Sequence, residues 1–401
     1  MSHLLRRSLV SIGLLLAVTG LLHASTFGFR TDWTGRYPTA TPSLNWSTSR
    51  NVVWATDLPS WSNATPVVMD DRLFVCSEAT TLVCVRSSDG HILWMNDHGF
   101  DKVNGLEPKP GMPETHGDNG HSSATPLVDG DRIYALFGNG VAACHDRDGK
   151  RIWMRLIELP TQGWGHSASP VMAAGHLIVQ INGTVTALNP DDGSTLWTQP
   201  GRHSFGSPVA CRIGDLDLIV TPGGDFLRAS DGKVLVKESA NLEYCAPIVD
   251  GDVVYFITGD AHAFRMVVDG QGGLKLDLLW RESLPSDRYY GSPLLHDEFI
   301  YAVTRGQKLT VIDTSDGAVI YTQKVDLSQA GGGNAVYSSP ASAGDFIFLT
   351  GLDGTTVVLD PGRTYVERAR NALEQTRASP VFVGNRIYIR AGHRLYCIGD
   401  S

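Results

Sequence analysis

The chain has 401 residues, with 42 acidic against 33 basic side chains, a formal net charge of −9, 43 glycines and six cysteines. A hydrophobic share of 42% excludes a disordered chain. The glycines keep no three-residue period, which excludes a collagen-like one. The acidic balance argues against nucleic acid as the main partner, and six cysteines are too sparse for a disulfide scaffold.

In chain order, the first feature is an address. Arg6 and Arg7 precede an apolar run from Leu9 to Leu22, and Ala24 supplies a small residue at a cleavage point. The length and flanks suit a secretory signal and are short for a membrane span. No cysteine follows the run, so a lipidation site is missing there. Residues 1–24 are therefore expected to be a signal peptide, 25–50 an N-terminal extension and 51–401 one folded unit. Removing the signal takes away two arginines and leaves a net charge of −11. No other run is long enough to cross a bilayer. The mature chain is expected to lie in a periplasm or to be secreted, as a monomer.

A small-(Ser/Thr)-Pro tripeptide then recurs eight times, ending at Pro66, Pro126, Pro170, Pro208, Pro247, Pro293, Pro340 and Pro380. Seven of the eight residues before Pro are Ser or Thr, Ala246 being the exception. The position before that is always Ala, Gly, Ser or Cys. A position kept that small eight times is crowded, as strands converging on a narrow axis would make it. Each Pro opens a short apolar stretch, and a turn such as Asp129-Gly130 leads to a second strand such as Arg132-Ile133-Tyr134-Ala135. Hairpin signals at Asn182-Gly183 and Asp353-Gly354 precede a third strand. Asp-Gly turns then lead to a fourth, which ends in Trp94, Trp153, Trp197 or Tyr321.

Four strands per unit of about 40–45 residues is the pattern of a propeller blade. The expected fold is all-β, an eight-bladed β-propeller of four-stranded blades. The last unit stops after its third strand near Cys397. Its fourth is found at the front, where Val52–Pro59 matches Leu278–Pro285 in carrying Trp followed by Leu-Pro. The N-terminal strand is expected to complete the last blade and close the ring, since an open ring would expose edge strands.

The unit Ala187-x-Asn189-x-x-Asp192-Gly193-x-x-x-Trp197, repeated in spacing at Ala143–Trp153 and Cys84–Trp94, resembles the pyrroloquinoline-quinone-like (PQQ-like) repeat over roughly residues 50–400. The resemblance implies that tryptophans dock adjacent blades. Blade 4 has Val236 instead, blade 6 has Tyr321, and blade 7 is irregular around Tyr365, so docking there is expected to be weaker or built differently. Two branches of the family bear on function. Quinoprotein dehydrogenases would imply PQQ with Ca²⁺ over the axis. They are usually longer, and this chain has neither the adjacent cysteine pair many of them use nor a Cys-x-x-Cys-His haem site. The other branch is that of the outer-membrane assembly factor BamB, an eight-bladed scaffold of similar size that implies a protein partner. A plain secreted member of the repeat family is the third reading.

Strands that enter a propeller at its axis bring the preceding loops onto one face. The residues three to five before each Pro are therefore expected to form a ligand-binding rim. The rim comprises Trp61, His121, His166, His203, Glu243, Arg288, Tyr289, Tyr290, Tyr337 and Arg377, with Asn63, Ser123, Phe205 and Tyr244 beside them. Polar and aromatic groups in this mixture suit a protein or saccharide ligand. The connection from Trp94 to Pro126 is the longest and carries Asp97, His98, Asp101, Glu107, Glu114, His116 and Asp118. These are metal-ligand residue types without a recognised zinc spacing. They leave a metal-dependent enzyme as an alternative and a hydrogen-bonded surface lid as the plainer reading. Gly331-Gly332-Gly333-Asn334 offers a second loop that could flex beside it. His166 is a candidate general base, Ser122 and Ser167 each follow a His without a nucleophile elbow, and Cys76 and Cys84 lie on consecutive strands where a disulfide is conceivable. Two glycosylation sequons begin at Asn63 and Asn182. The reading as a whole is a binding scaffold that works through its axial face, leaning away from catalysis, with a quinoprotein dehydrogenase as the alternative.

Overall fold

The structure is a computed structural model describing residues 26–328 and 335–400. The signal segment and the Gly331–Asn334 loop lie outside the described residues. Eight sheets form the ring, each built on four antiparallel strands in simple up-and-down order, and two of them carry a fifth, two-residue strand from the N-terminal extension. Blade 1 is Val67–Met69, Arg72–Ser77, Thr81–Arg86 and Ile92–Asp97, from the axis outward. The short first strand lies at the crowded centre, and the middle strands are buried on both faces between neighbouring blades, which explains their near-continuous apolar sequence. Among the described residues the one helical turn is Phe100–Lys102.

Ring closure is as expected. Val52–Asp57 pairs with Arg394–Ile398, Trp54 opposite Cys397 and Ala55 opposite Tyr396, and so supplies the outer strand of blade 8.

The crowding inferred from the tripeptides is visible at the axis. A Cβ on Gly206 would stand 2.2 Å from the Cys245 carbonyl oxygen, and one on Gly291 2.5 Å from that of Ser338. The hydroxyl beside each small residue performs one repeated task. The backbone N–H of Thr65 donates to Thr125 Oγ1, Thr125 to Ser169, Ser169 to Ser207, Ala246 to Ser292, Ser292 to Ser339, Ser339 to Ser379, and Ser379 back to Thr65, at 2.9–3.3 Å. The belt is interrupted where Ala246 has no hydroxyl to offer Ser207. Each bond satisfies a buried N–H that would otherwise cost about 1–3 kcal/mol.

Farther out, five tryptophans dock blade to blade. Trp54, Trp94, Trp153, Trp197 and Trp280 each donate an indole N–H to a backbone carbonyl of the next blade at 2.8–3.1 Å. Each ring lies over the glycine of that blade's turn. At Gly149, with φ +84°, a Cβ would meet the Trp94 ring at 2.6 Å. The Asp-Gly turn thus serves twice, as a left-handed corner and as a seat for the neighbour's indole. Where the pattern lapses, docking is built differently. At the seam of blades 7 and 8, Trp46 from the N-terminal extension is buried against Phe348 at 6.3 Å, and Asn371 clasps it by accepting from the Trp46 backbone N–H and donating to the Leu44 carbonyl.

That extension runs beneath the ring. Thr26–Phe27 adds to the far end of blade 2's inner strand, and Arg36–Tyr37 runs parallel to the inner strand of blade 7. Between these anchors Arg30 is 3% exposed and donates to the carbonyls of Pro293 and Pro340 at 2.8 and 2.9 Å. Burial lowers its pKa to about 10.

The cysteines are all unpaired. Cys76 faces Leu82, and Cys84 faces Phe74, so the two thiols are offset along the strands rather than opposite each other. A disulfide between them is not formed.

Candidate functional site

The open end of the axis is a cavity of about 380 Å³. Its walls follow one rule of the backbone. The residue three before each repeat proline lines it in every blade: Asn63, Ser123, Ser167, Phe205, Tyr244, Tyr290, Tyr337 and Arg377. The residue one before lines it wherever a hydroxyl is present. Extended chain alternates its side chains, so positions −1 and −3 face the axis while −2 turns into the blade interface.

The expected rim divides, and the alternation accounts for the part of it at −3. Glu243, Arg288, Tyr290, Tyr337 and Arg377 line the cavity; Trp61, His121, His166, His203 and Tyr289 do not. Tyr289 is buried in the core between blades, its hydroxyl donating to the Pro285 carbonyl at 3.0 Å. His166 is buried with Nε2 donating to the Ala168 carbonyl at 2.9 Å, and burial lowers its pKa to about 4. It faces no substrate space, so the geometry gives it no position as a base. His203 is half-buried with its ring edge-on to Phe205 at 4.8 Å. The His121 backbone N–H donates to Glu78 Oε1 at 2.8 Å. Trp61 packs where Gly120 lacks a side chain. Ser122 Oγ donates to Glu78 and Ser167 Oγ to the Phe205 carbonyl, so neither is a free nucleophile.

Four of the −3 residues make a continuous aromatic wall. Phe205 stacks with Tyr244 at 5.8 Å, Tyr244 meets Tyr290 edge-on at 4.9 Å, and Tyr290 stacks with Tyr337 at 4.8 Å. Two guanidiniums rest on it. Arg377 lies over the Tyr337 ring at 5.1 Å and pairs with Asp118 at 2.6 Å. Arg288 lies over Tyr244 at 5.9 Å and donates to the Tyr290 hydroxyl at 3.1 Å, and its guanidinium forms no ion pair among the described residues, its backbone N–H alone meeting Asp287.

The opposite wall comes from the long connection after blade 1. Asn119 and Asp118 line the cavity beside Trp164. The His116 ring stacks on Trp164 at 4.1 Å, and the Asn119 amide donates to the Trp164 carbonyl at 2.7 Å. The Asn63 amide donates to Asp118, Asn119 and Ser123, so it is engaged inside the mouth. The connection is thus a hydrogen-bonded cover, the plainer of its two readings. Among the described residues no group of three His, Cys, Asp or Glu side chains could hold a metal ion. His98 has left the loop surface. Its Nδ1 donates to the Thr80 carbonyl at 2.9 Å, so its Nε2 accepts from His145 Nε2 at 2.8 Å, and burial holds both rings neutral, with pKa values lowered to about 3 and about 4.

The floor has no counterpart in the repeat pattern. It includes Phe29, from the strap under the ring, and is reached from the far end of the axis.

An eight-bladed ring with Trp-docked blades, an axial mouth and a closed far end defines the class of PQQ-like repeat propellers. Within it, the family described as outer membrane protein assembly factor BamB matches residues 47–221, 181–276 and 276–401, and the chain belongs to that family. Among relatives named outer membrane protein assembly factor BamB, that of Shewanella oneidensis is 22% identical over 72% of this chain and 69% of its own length. That of Salmonella typhimurium is 23% identical over 86% and 97%. Among solved structures, BamB from Moraxella catarrhalis superposes with a TM-score of 0.62 at 13% identity, covering 87% of this chain and 99% of that one. The quinohemoprotein alcohol dehydrogenase of Comamonas testosteroni gives 0.57 at 12% identity, covering 87% and 77%. These structural likenesses concern the fold.

Proposed function

We propose that this chain is a binding scaffold of the BamB kind that holds a protein partner at its axial mouth. The observation that carries the reading is the aromatic wall from Phe205 to Tyr337 with Arg288 and Arg377 laid over it. Tyr and Arg in a partly desolvated concavity are the residue types that concentrate binding energy at protein interfaces. The stacked rings occupy much of one another's faces, which favours a protein over a saccharide that would need open faces. The same reading takes residues 1–24 as a cleaved signal, 25–50 as the strap and 51–401 as the propeller, working outside the cytoplasm.

The dehydrogenase alternative asks the mouth for a Ca²⁺ site and a seat for PQQ. The donor set does not fit: of the cavity's carboxylates, Asp118 is tied to Arg377 and Glu243 stands apart on the rim.

The test is cross-linked capture from envelope extracts with tagged wild type and with the double variant Tyr290→Ala/Tyr337→Ala. A named partner is expected with the wild type and at least a tenfold weaker yield with the variant. Equal capture of the same proteins by both would remove the mouth from this role. Fractionation of the full-length chain tests the location. An unprocessed chain retained in the cytoplasm would overturn that part.

A further inference from the structure

The repeated hydroxyl that closes the belt has a second half of its chemistry unspent. Each belt oxygen accepts a neighbour's N–H. Among the described residues none of the seven hydroxyls donates to a protein acceptor, and all seven line the axial cavity. A hydroxyl has one hydrogen to give, and accepting a bond polarises it into a better donor. Seven such donors therefore converge on one volume from around its circumference. They are 2–6% exposed, so they are partly desolvated, where a hydrogen bond to charge counts for more. The lip of the same cavity carries Arg288, whose guanidinium forms no ion pair among the described residues.

We propose that the base of the mouth is a carboxylate site, in which the belt hydroxyls donate to the two oxygens of a partner's carboxylate and Arg288 supplies the positive field at the entrance. The inference rests on the mouth being the binding surface and adds what it recognises. The ligand is acceptor-only, as an ionised carboxylate is, with an apolar stem that runs along the Tyr244–Tyr290–Tyr337 wall and ends above Phe29. Other charges at the cavity set the sign of each test. Arg377 is neutralised by Asp118. Glu243, on the same wall as Arg288, opposes an anion, so its removal should strengthen binding.

The carboxylate can come from a chain terminus or from an acidic side chain, and the probes separate these. The first pair is 3-phenylpropionate and its amide, matched in shape and differing in charge, titrated calorimetrically at low salt. The second set is one apolar hexapeptide made with a free C-terminus, with an amidated C-terminus, and amidated with an internal Asp. The acid is expected to bind at least tenfold more tightly than the amide. Arg288→Gln should weaken the acid about tenfold, Glu243→Gln should tighten it, and added salt should weaken it. Ser339→Ala should weaken it as well. Because that change also removes a belt acceptor, Arg288→Gln, on the exposed lip, is the variant that decides.

Binding of the free-terminus peptide alone would assign a chain terminus, and binding of the Asp peptide would assign a side chain. Both uphold the site. Equal affinity for acid and amide, or an Arg288→Gln protein that binds the acid unchanged, overturns it. If Arg288→Gln loses the acid while the double tyrosine variant still captures the partner fully, the carboxylate site stands and the scaffold role of the mouth falls. The reverse pattern removes the carboxylate site alone.

Discussion

The two ends of the axis are made by the same eight inner strands and end in opposite ways. At the far end the strap fills the opening. Arg30 bonds two carbonyls of different blades, and the strap continues to Trp46, buried in the seam of blades 7 and 8. At the mouth the strands stop, and the side chains facing the axis leave donors, rings and a guanidinium without a full complement of protein partners. The strap end is held by burial and by the Arg30 guanidinium, although Arg30 Nε and the Trp46 indole N–H find no partner among the described residues, whereas the mouth leaves its donors facing the cavity.

The contrast breaks most visibly at Trp46. Trp46→Ala removes a buried indole from a seam that has no docking tryptophan of its own, and should cost about 3–5 kcal/mol, read as a lowered unfolding midpoint in urea. Arg30→Ala leaves the carbonyls of Pro293 and Pro340 without their donor. It should cost about 2 kcal/mol, with mouth-directed ligand binding altered only through Phe29 on the adjoining residue.

Acid should loosen the connections that lead to the mouth. His98, His145 and His166 are neutral when folded, with pKa values lowered to about 3, about 4 and about 4. Their unfolded values lie near 6.5, so the unfolded chain takes up protons first as pH falls. Their contribution is complete above about pH 6.5 and declines toward pH 4. His98→Gln and His145→Gln together should flatten that slope in a pH series of unfolding midpoints. The smallest effect belongs to the lip: Arg288→Gln should change stability by no more than about 0.5 kcal/mol. A large loss there would mean that the mouth is structural after all.

Most of the fold was legible because each blade repeats local signals. Turn glycines, small residues at the axis and terminal tryptophans recur at set offsets, and the chain-end match at Trp54 and Trp280 exposed the closure. The site was half legible. A window of three to five residues before each proline mixes side chains that face the axis with side chains that do not. It drew in Tyr289 and His166, both at −4, where the backbone turns them into the blade interface. The two-residue alternation of extended chain would have separated −3 from −4. Glu243 and Arg288 reach the cavity from −4 and −5 because they are long and exposed at the lip. The strap left no such trace. Its pairings are two residues long and it repeats nothing, so Phe29, Arg30 and Trp46 read as linker. Trp164 and Asn119 lie on connections outside the repeat, where only the unusual length after Trp94 gave a signal.

The strand that completes blade 8 has a consequence for the order of events as the chain folds. Seven blades are each contiguous in sequence and form from neighbouring contacts, which makes them fast. The eighth joins Val52 to Ile398. A polymer emerging from a ribosome or a translocation pore with its N-terminus first must keep Val52–Asp57 unpaired until the last forty residues arrive, whereas the strap can already pair with blades 2 and 7. Closing a loop of that length in a free coil costs about 5 kcal/mol of entropy, and blades already stacked along an arc shorten the gap. The final pairing thus acts as a checkpoint on completeness: a chain that lacks either partner strand has an open arc and an exposed edge.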